Sequence, residues 1–375
     1  MRNARMKSRM LWVLAAATFG LLYPYAIYPV LLAAVSRFRG RAVATSNATP
    51  SVAILVSAFN EETRILDKIA NFDAIDYPAG KLDLWIGTDG STDRTADLIR
   101  QRAHPRVHLL ECPTRRGKTL VLNDLARAVQ AEVLMFSDTN AFFRPDAVRR
   151  LVEPMSDSRV GLVSGRTVIR TGTGNVEVEG AYYRLESWLK AREGDCGWLA
   201  GADGAIYALR GGLYQDLPAA WINDLIHPCI VVGLGLEARL NPLAVSEEPA
   251  GERAGQEFDR QTRITAQSSY LLASQILGLA SKGKWGMLWV LLSHKWMRWI
   301  AGLWILIGWL AIVWMSPILG AAALAAILAL VLAWRGGLRA AALPVYFLLI
   351  HIAYLRGLGK AITGERYVTW SPRSG

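Results

Sequence analysis

Residues 11–35 read LWVLAAATFGLLYPYAIYPVLLAAV, without a charge. That exceeds the ~20 apolar residues a helix needs to cross a bilayer core. A cleaved leader would end in small residues, whereas Tyr23, Pro24, Tyr28 and Pro29 stand here, so an uncleaved anchor is expected. Three more apolar runs, at residues 299–315, 318–334 and 342–358, predict three further spans. Ahead of them KWGMLWVLLSHKWMRW mixes tryptophan with lysine and arginine, which predicts an amphipathic helix lying in a membrane interface. The expected organisation is an anchor over residues 1–45, a water-soluble domain over 46–282, an interfacial helix over 283–298, and transmembrane helices with a tail over 299–375.

Within the soluble part the pattern changes. SVAILVSAF is a run for a buried strand, and Asn60, Glu61 and Glu62 end it before a helix carrying Ile65, Leu66 and Ile69. LDLWIGT then leads into DGSTDRTADLI, RVHLLEC into GKTLVLNDLARAV, and EVLMFSD into RPDAVRRLV. Strands alternating with helices predict a parallel sheet covered on both faces. Ligands of such sheets bind beyond the carboxyl ends of the strands. Asn60 and Glu61, then Asp89, then Asp138 and Asn140, each follow a strand end, so they are expected to converge on one cleft. Each alone has an ordinary explanation: Asp89-Gly90 is a turn pair and Asp93 a helix cap. Their coincidence is harder to assign to structure alone.

Composition sharpens this reading. In 375 residues, 52% are hydrophobic, 19% are charged and the mean hydropathy is +0.23, which excludes disorder and coiled coil and requires lipid for part of the chain. The net charge of +11 comes from scattered residues without a nucleic-acid-binding signature, so it is assigned to membrane lipid and not to nucleic acid. Cys112, Cys196 and Cys229 form no CxxC pair, which argues against a disulfide framework or structural zinc and fits a reducing compartment. Arg335 and Arg339 before the last run favour a cytosolic loop, and hence a cytosolic soluble domain. The basic residues around the first helix are balanced, and Lys360, Arg366 and Arg373 in the tail oppose that orientation.

SAFNEETRILDKI, YPAGKLDLWIGTDGSTDRTADLI, RRGKTLVLNDLA, MFSDTNAFF, WLAGADGAIYALR, WINDLIHP and RQTRI together resemble the membrane-bound, polysaccharide-type branch of the family 2 glycosyltransferases, over about residues 51–295. The resemblance implies an α/β fold, a GT-A-like Rossmann-type nucleotide-sugar domain with flanking transmembrane helices. It also implies an inverting hexosyltransferase of a bacterial inner membrane with a cytoplasmic catalytic domain. The donor would be a UDP- or GDP-sugar, and the acceptor a lipid-linked or growing glycan. Such a reaction needs the leaving diphosphate neutralised and an acceptor hydroxyl deprotonated, tasks suited to a divalent cation and a carboxylate.

Carried onto this chain, Asp138 takes the first place of the family's DxD metal motif for Mg²⁺ or Mn²⁺, with Asn140 replacing the second acid. Asp89 resembles the acid that contacts base or ribose, with Asn60 and Glu62 on the same rim, and Lys118 is placed to offset phosphate charge. In WINDLIHP, Asn223 replaces one of the paired acids, leaving Asp224 as the expected base. Asp203 of GADG belongs to the acceptor-side loop. Arg260 and Arg263 stand in the family's QxxRW element, where Ile264 replaces the tryptophan.

GTGNVEVEG, residues 172–180, lacks the third glycine of a dinucleotide fingerprint, and His227 is expected to pack on a helix face near the membrane. Four spans are too few to line a polar channel, so addition without a self-contained pore, or an oligomer, is expected. Asn140 and Ile264 motivate an alternative, a membrane-anchored scaffold that binds nucleotide sugar or glycan without turnover. A nucleotidyltransferase would want a Gly-rich, Arg-containing loop where SAFNEE stands.

Overall fold

The structure, a computed structural model, describes residues 2–170, 181–249, 254–365 and 367. The glycine-rich segment 172–180 and the tail residues Arg366 and Arg373 lie outside the described residues. The chain forms two compact units that interleave in sequence. One comprises Met1–Leu31, Arg253–Tyr270 and Leu291–Arg366, the other Leu32–Glu252, Leu271–Val290 and Tyr367–Gly375.

The chain starts with α1 (Arg2–Leu22), a π-helical turn (Tyr23–Ile27) and α2 (Tyr28–Arg39). Four strand–helix repeats follow: β1 (Val52–Ala58) with α3 (Ile65–Asp73), β2 (Leu82–Asp89) with α4 (Thr95–Arg102), β3 (Val107–Cys112) with α5 (Lys118–Ala128), and β4 (Val133–Ser137), which passes through the short β5 (Phe142–Phe143) to α6 (Ala147–Val152). Then come β6 (Val160–Arg170), α7 (Ala181–Asp195), β7 (Tyr207–Arg210), α8 (Asn223–Gly233) and β8 (Glu237–Pro249). These strands form one sheet in the order β3-β2-β1-β4-β7-β6-β8-β5.

The first four strands are parallel, as their alternation with helices predicts. The other half departs from an all-parallel sheet: β7 runs antiparallel to both β4 and β6, and β5 antiparallel to β8. β1 is buried along its whole length, as a central strand covered on both faces must be. Val52, Ile54 and Val56 of β1, with Leu84 and Ile86 of β2, pack in one core with Ile65, Ile69 and Phe72 of α3 and Leu151 of α6. On the other side, a side chain at Gly87 of β2 would collide with Val121 of α5, so glycine lets that helix lie close. The three cysteines are free; Cys112 and Cys229 are buried and Cys196 is half-buried.

The chain ends in α9 (Ala254–Ser281), α10 (Trp285–Val290), a π-helical segment (Leu291–Trp296), α11 (Met297–Trp299), α12 (Ala301–Met315), α13 (Pro317–Arg335) and α14 (Ala342–Ile362). Among the described residues three helices are long and apolar enough to cross a membrane: Arg5–Arg39, Pro317–Arg335 and Arg339–Ile362. The predicted span at 299–315 is not a straight crossing by itself. Its α12 has 15 residues, about 22 Å against a hydrocarbon core of about 30 Å. It meets Trp285–Trp299 at a bend of 51°, and only together does that pair qualify as a broken span. The preceding segment is one helix, Trp285–Trp299, with a π-helical stretch inside it; Met287, Leu291, His294 and Trp299 are buried while Trp285 is 67% exposed.

Candidate active site at the carboxyl edge of the sheet

The loops after β1 and β2 are laced together. Asn60 adopts a left-handed backbone (φ 53°), a conformation asparagine tolerates. Its Oδ1 accepts from the Thr92 N–H at 2.8 Å, and its own N–H donates to Ser91 Oγ at 3.2 Å. Glu62 Oε2 accepts from the Arg94 N–H at 3.1 Å, and the Glu62 N–H donates to Asp93. Asn60 and Glu62 therefore hold the DGSTD loop against the end of β1.

Asp89 ends β2 and is fully buried. Its Oδ1 accepts from the Arg116 N–H at 2.6 Å and its Oδ2 from the Gly117 N–H at 2.9 Å. With no exposed surface and its oxygens engaged by these backbone N–H groups, Asp89 ties the end of β2 to the loop leading to α5. Gly117 caps that helix with φ 96°, which favours glycine, and Lys118 is its first residue.

Lys118, Asp138, Asp203 and Asp224 form the electrostatic centre. Lys118 Nζ is ion-paired with Asp138 Oδ1, one step past the end of β4. Burial works to lower the Lys118 pKa, but Asp138, with Asp224 and Glu248, holds it above the ordinary lysine value. Asp224 lies in the first turn of α8, and its Oδ1 is buried with no hydrogen-bond partner among the described residues. Burial raises its pKa above the ordinary carboxylate value; Lys118 and Lys190 oppose the shift, while Asp138 and Asp203 add to it. A Cβ at Gly204 would lie 2.9 Å from Asp224 Oδ2, so the GADG loop passes close to this carboxylate. Asp203 is partly committed to the fold: Oδ2 accepts from the Thr167 N–H at 2.8 Å and Oδ1 from the Ala205 N–H at 3.2 Å.

A proline inside α8 shapes the same spot. Pro228 has no N–H to offer the Asp224 carbonyl four residues earlier. That carbonyl instead accepts from the Ala202 N–H at 2.8 Å, tying the GADG loop to the candidate base.

His227 is fully buried on α8, packed on a helix face as expected of it. Its Nδ1 lies 3.0 Å from Tyr207 Oη, and burial pushes its pKa down to about 3, so it stays neutral. Asn223 donates to the same Tyr207 oxygen at 2.6 Å and is a structural partner of that pair.

Two further groups have shifted pKa values: Glu61, expected at the cleft from its strand end, and Lys68, which the sequence did not single out. Glu61 is half-buried, and burial, against Arg64 and with Asp138 and Asp93, pushes its pKa up to about 7. Lys68 on α3 is 2% exposed, and burial, against Asp138 and Glu248, pulls it down to about 7. Its helix position could have flagged it: residues 65, 68, 69 and 72 are the buried face of α3, while Leu66 is 43% exposed. Arg260 and Arg263 are on α9, in the unit that holds the long apolar helices, and Arg260 pairs with Glu257 at 3.2 Å.

Among the described residues no group of three or more His, Cys, Asp or Glu side chains could hold a metal ion. The donor set is one carboxylate, Asp138, with the Asn140 amide two residues on. One carboxylate and one amide do not suit zinc or an all-protein calcium cage; they suit a hard divalent cation that draws its other ligands from elsewhere.

Comparison with known proteins bears on family and fold. Residues 53–196 match the family described as Glycosyl transferase family 2. A beta-monoglucosyldiacylglycerol synthase of Nostoc sp. is 30% identical over 147 residues, 38% of this chain and 31% of the relative. A probable glycosyltransferase, YdaM, of Bacillus subtilis is 25% identical over 240 residues, 60% of this chain and 56% of the relative. The match thus spans about a third of the length of the first of these relatives. Among solved structures, the mannosyltransferase PcManGT from Pyrobaculum calidifontis, in complex with GDP-Man and Mn2+, superposes with a TM-score of 0.74 at 19% identity, over 95% of this chain and 99% of that one. The fold is therefore GT-A-like, an α/β sheet domain flanked in sequence by helices long and apolar enough to cross a membrane.

Proposed function

We propose, for a chain whose residues 53–196 belong to glycosyltransferase family 2, that it is an inverting glycosyltransferase moving a hexose-type sugar from a nucleotide-diphosphate donor to a lipid-linked or growing glycan acceptor at a membrane. The observation that carries this reading is the grouping of Lys118, Asp138 and Asp224, with one oxygen of Asp224 buried and unmatched. The names of the relatives support a glycolipid or glycan acceptor, and the GDP-Man and Mn2+ of the structural neighbour support the donor class and a divalent cation.

In this reading Asp224 Oδ1 accepts the hydrogen bond of the acceptor hydroxyl. The hydroxyl oxygen attacks the anomeric carbon, the bond from that carbon to the diphosphate oxygen breaks with its electron pair leaving on the diphosphate, and the hydroxyl proton passes to Asp224. One displacement inverts the anomeric centre. The raised pKa of Asp224 makes it a stronger base than an exposed carboxylate. Lys118 sets positive charge beside the departing diphosphate. Asp138 and Asn140 would hold Mg²⁺ or Mn²⁺, which when bound supplies neutralisation of the diphosphate. Asn60, Glu62 and Asp89 keep the donor side in shape, and Asp203 orients the loop on the acceptor side.

Detergent-purified protein incubated with individual UDP- and GDP-sugars and Mn²⁺ or Mg²⁺ tests the reading through release of nucleoside diphosphate. A donor-specific signal lost with EDTA and lost in Asp224→Asn, with donor binding kept, supports it. Donor binding without turnover for any acceptor would overturn it in favour of a binding scaffold.

A further inference from the structure

We infer that Lys68 is a positioning residue: its buried ammonium ties together both ends of the 137–141 loop, which carries Asp138 and Asn140, and so fixes the geometry of the proposed diphosphate and cation site. What the loop binds rests on the glycosyltransferase reading; the tie itself does not.

Lysine is almost never fully buried unless its charge is matched. Lys68 Nζ donates to Ser137 Oγ at 2.8 Å and to the Ala141 carbonyl, and it stands 4.4 Å from the centre of the Phe143 ring. The ammonium has three N–H donors. Two hydrogen bonds and a cation–π contact engage it. If this position only filled the core, leucine or methionine would do so without the desolvation penalty of an ammonium. Both hydrogen bonds bracket the segment Asp138-Thr139-Asn140, where the chain leaves β4 and turns toward β5.

A second side chain of the same helix reaches the next residues. Asn71, three positions after Lys68 and so on the same face of α3, donates to the Phe143 carbonyl at 2.8 Å and accepts from the Phe143 N–H at 2.7 Å. The turn between is closed by the Ala141 N–H on the Asp138 carbonyl at 3.2 Å. Helix α3 thus anchors residues 137–143 at four backbone or hydroxyl groups besides the strand pairing, and Asp138 projects from a loop fixed at both ends. Lys118 engages the Asp138 carboxylate from α5.

The test is hydrogen exchange of the full-length, ligand-free protein in detergent, together with Mn²⁺ affinity in the presence of GDP or UDP. Lys68→Met is expected to speed exchange across 137–143 by about tenfold while strands β1 to β3 keep their protection. It is also expected to weaken Mn²⁺ binding about tenfold, the effect of losing a group that orients a ligand. Ser137→Ala, which removes one acceptor and keeps the lysine, should give a smaller change in the same segment and serves if Lys68→Met does not fold. Unchanged exchange at 137–143 in either folded variant, or a uniform loss of protection across the whole sheet, overturns the proposal. If wild-type protein turns over no donor while Lys68→Met still loosens 137–143, the reaction reading fails and the positioning role stands.

Discussion

Asp224 is where residue chemistry is most exposed to test. The base must be ionised to accept a proton, and its pKa lies above the ordinary carboxylate value, so turnover should rise with pH along an acidic limb displaced upward from that of an exposed aspartate. Asp224→Asn should abolish that limb and lower kcat by about 10²–10⁴, with donor affinity little changed. Gly204→Ala brings a methyl to about 2.9 Å from Asp224 Oδ2; a displaced carboxylate should cost about 10² in kcat, with an unaltered thermal midpoint. Lys68 carries a stability prediction. Its folded pKa of about 7 lies below its unfolded value, so the unfolded chain binds the extra proton between about pH 7 and 10.5, and folding stability rises with pH there. Lys68→Met should flatten that rise in thermal melts across the window. Asp138 could be placed in the sequence because it follows a strand end, whereas Asp224 was named only through the family resemblance of WINDLIHP. The loop-holding role of Asp89 was not legible, because its partners are backbone N–H groups at Arg116 and Gly117, and a chain's letters do not show where backbone donors point.

At the scale of elements, the parallel half of the sheet could be read because each strand is a compact apolar run with a helix after it. The antiparallel half hides for physical reasons. β7 has only four residues, and β8 contains Pro242 and pairs with β6 through two shifts of register, features that argue against a strand when read locally. Pro228 likewise looks like an interruption in a helix, yet it leaves the Asp224 carbonyl for the GADG loop. Pro228→Ala would supply a competing N–H, and hydrogen exchange at Ala202 should accelerate severalfold together with a fall in kcat. At Gly90, φ is +67° and a Cβ would sit 2.6 Å from the Arg115 nitrogen. Gly90→Ala should therefore destabilise the fold by about 1–3 kcal/mol, read as a lowered denaturation midpoint.

For the molecule as a whole, hydropathy found the apolar stretches but not how they are cut. The run at 299–315 is bent from its predecessor beyond Trp299, and polar residues 253–270 group with the long apolar helices, a grouping no window of hydropathy can show. The proposed cytoplasmic placement of the sheet unit can be measured with a thiol introduced at Asp83, whose side chain is 47% exposed. Asp83→Cys in intact cells should resist a membrane-impermeant maleimide and react once the membrane is opened; prompt labelling from outside would reverse the orientation. The native thiols bear on that experiment. Cys112 and Cys229 are buried, and burial pushes the Cys196 thiol up to about 11, leaving hardly any thiolate at neutral pH. Nature has thus supplied a nearly silent background for site-directed probes: fluorophores or spin labels can be installed one at a time, and their signals attributed, without first rebuilding the chain free of sulfur nucleophiles.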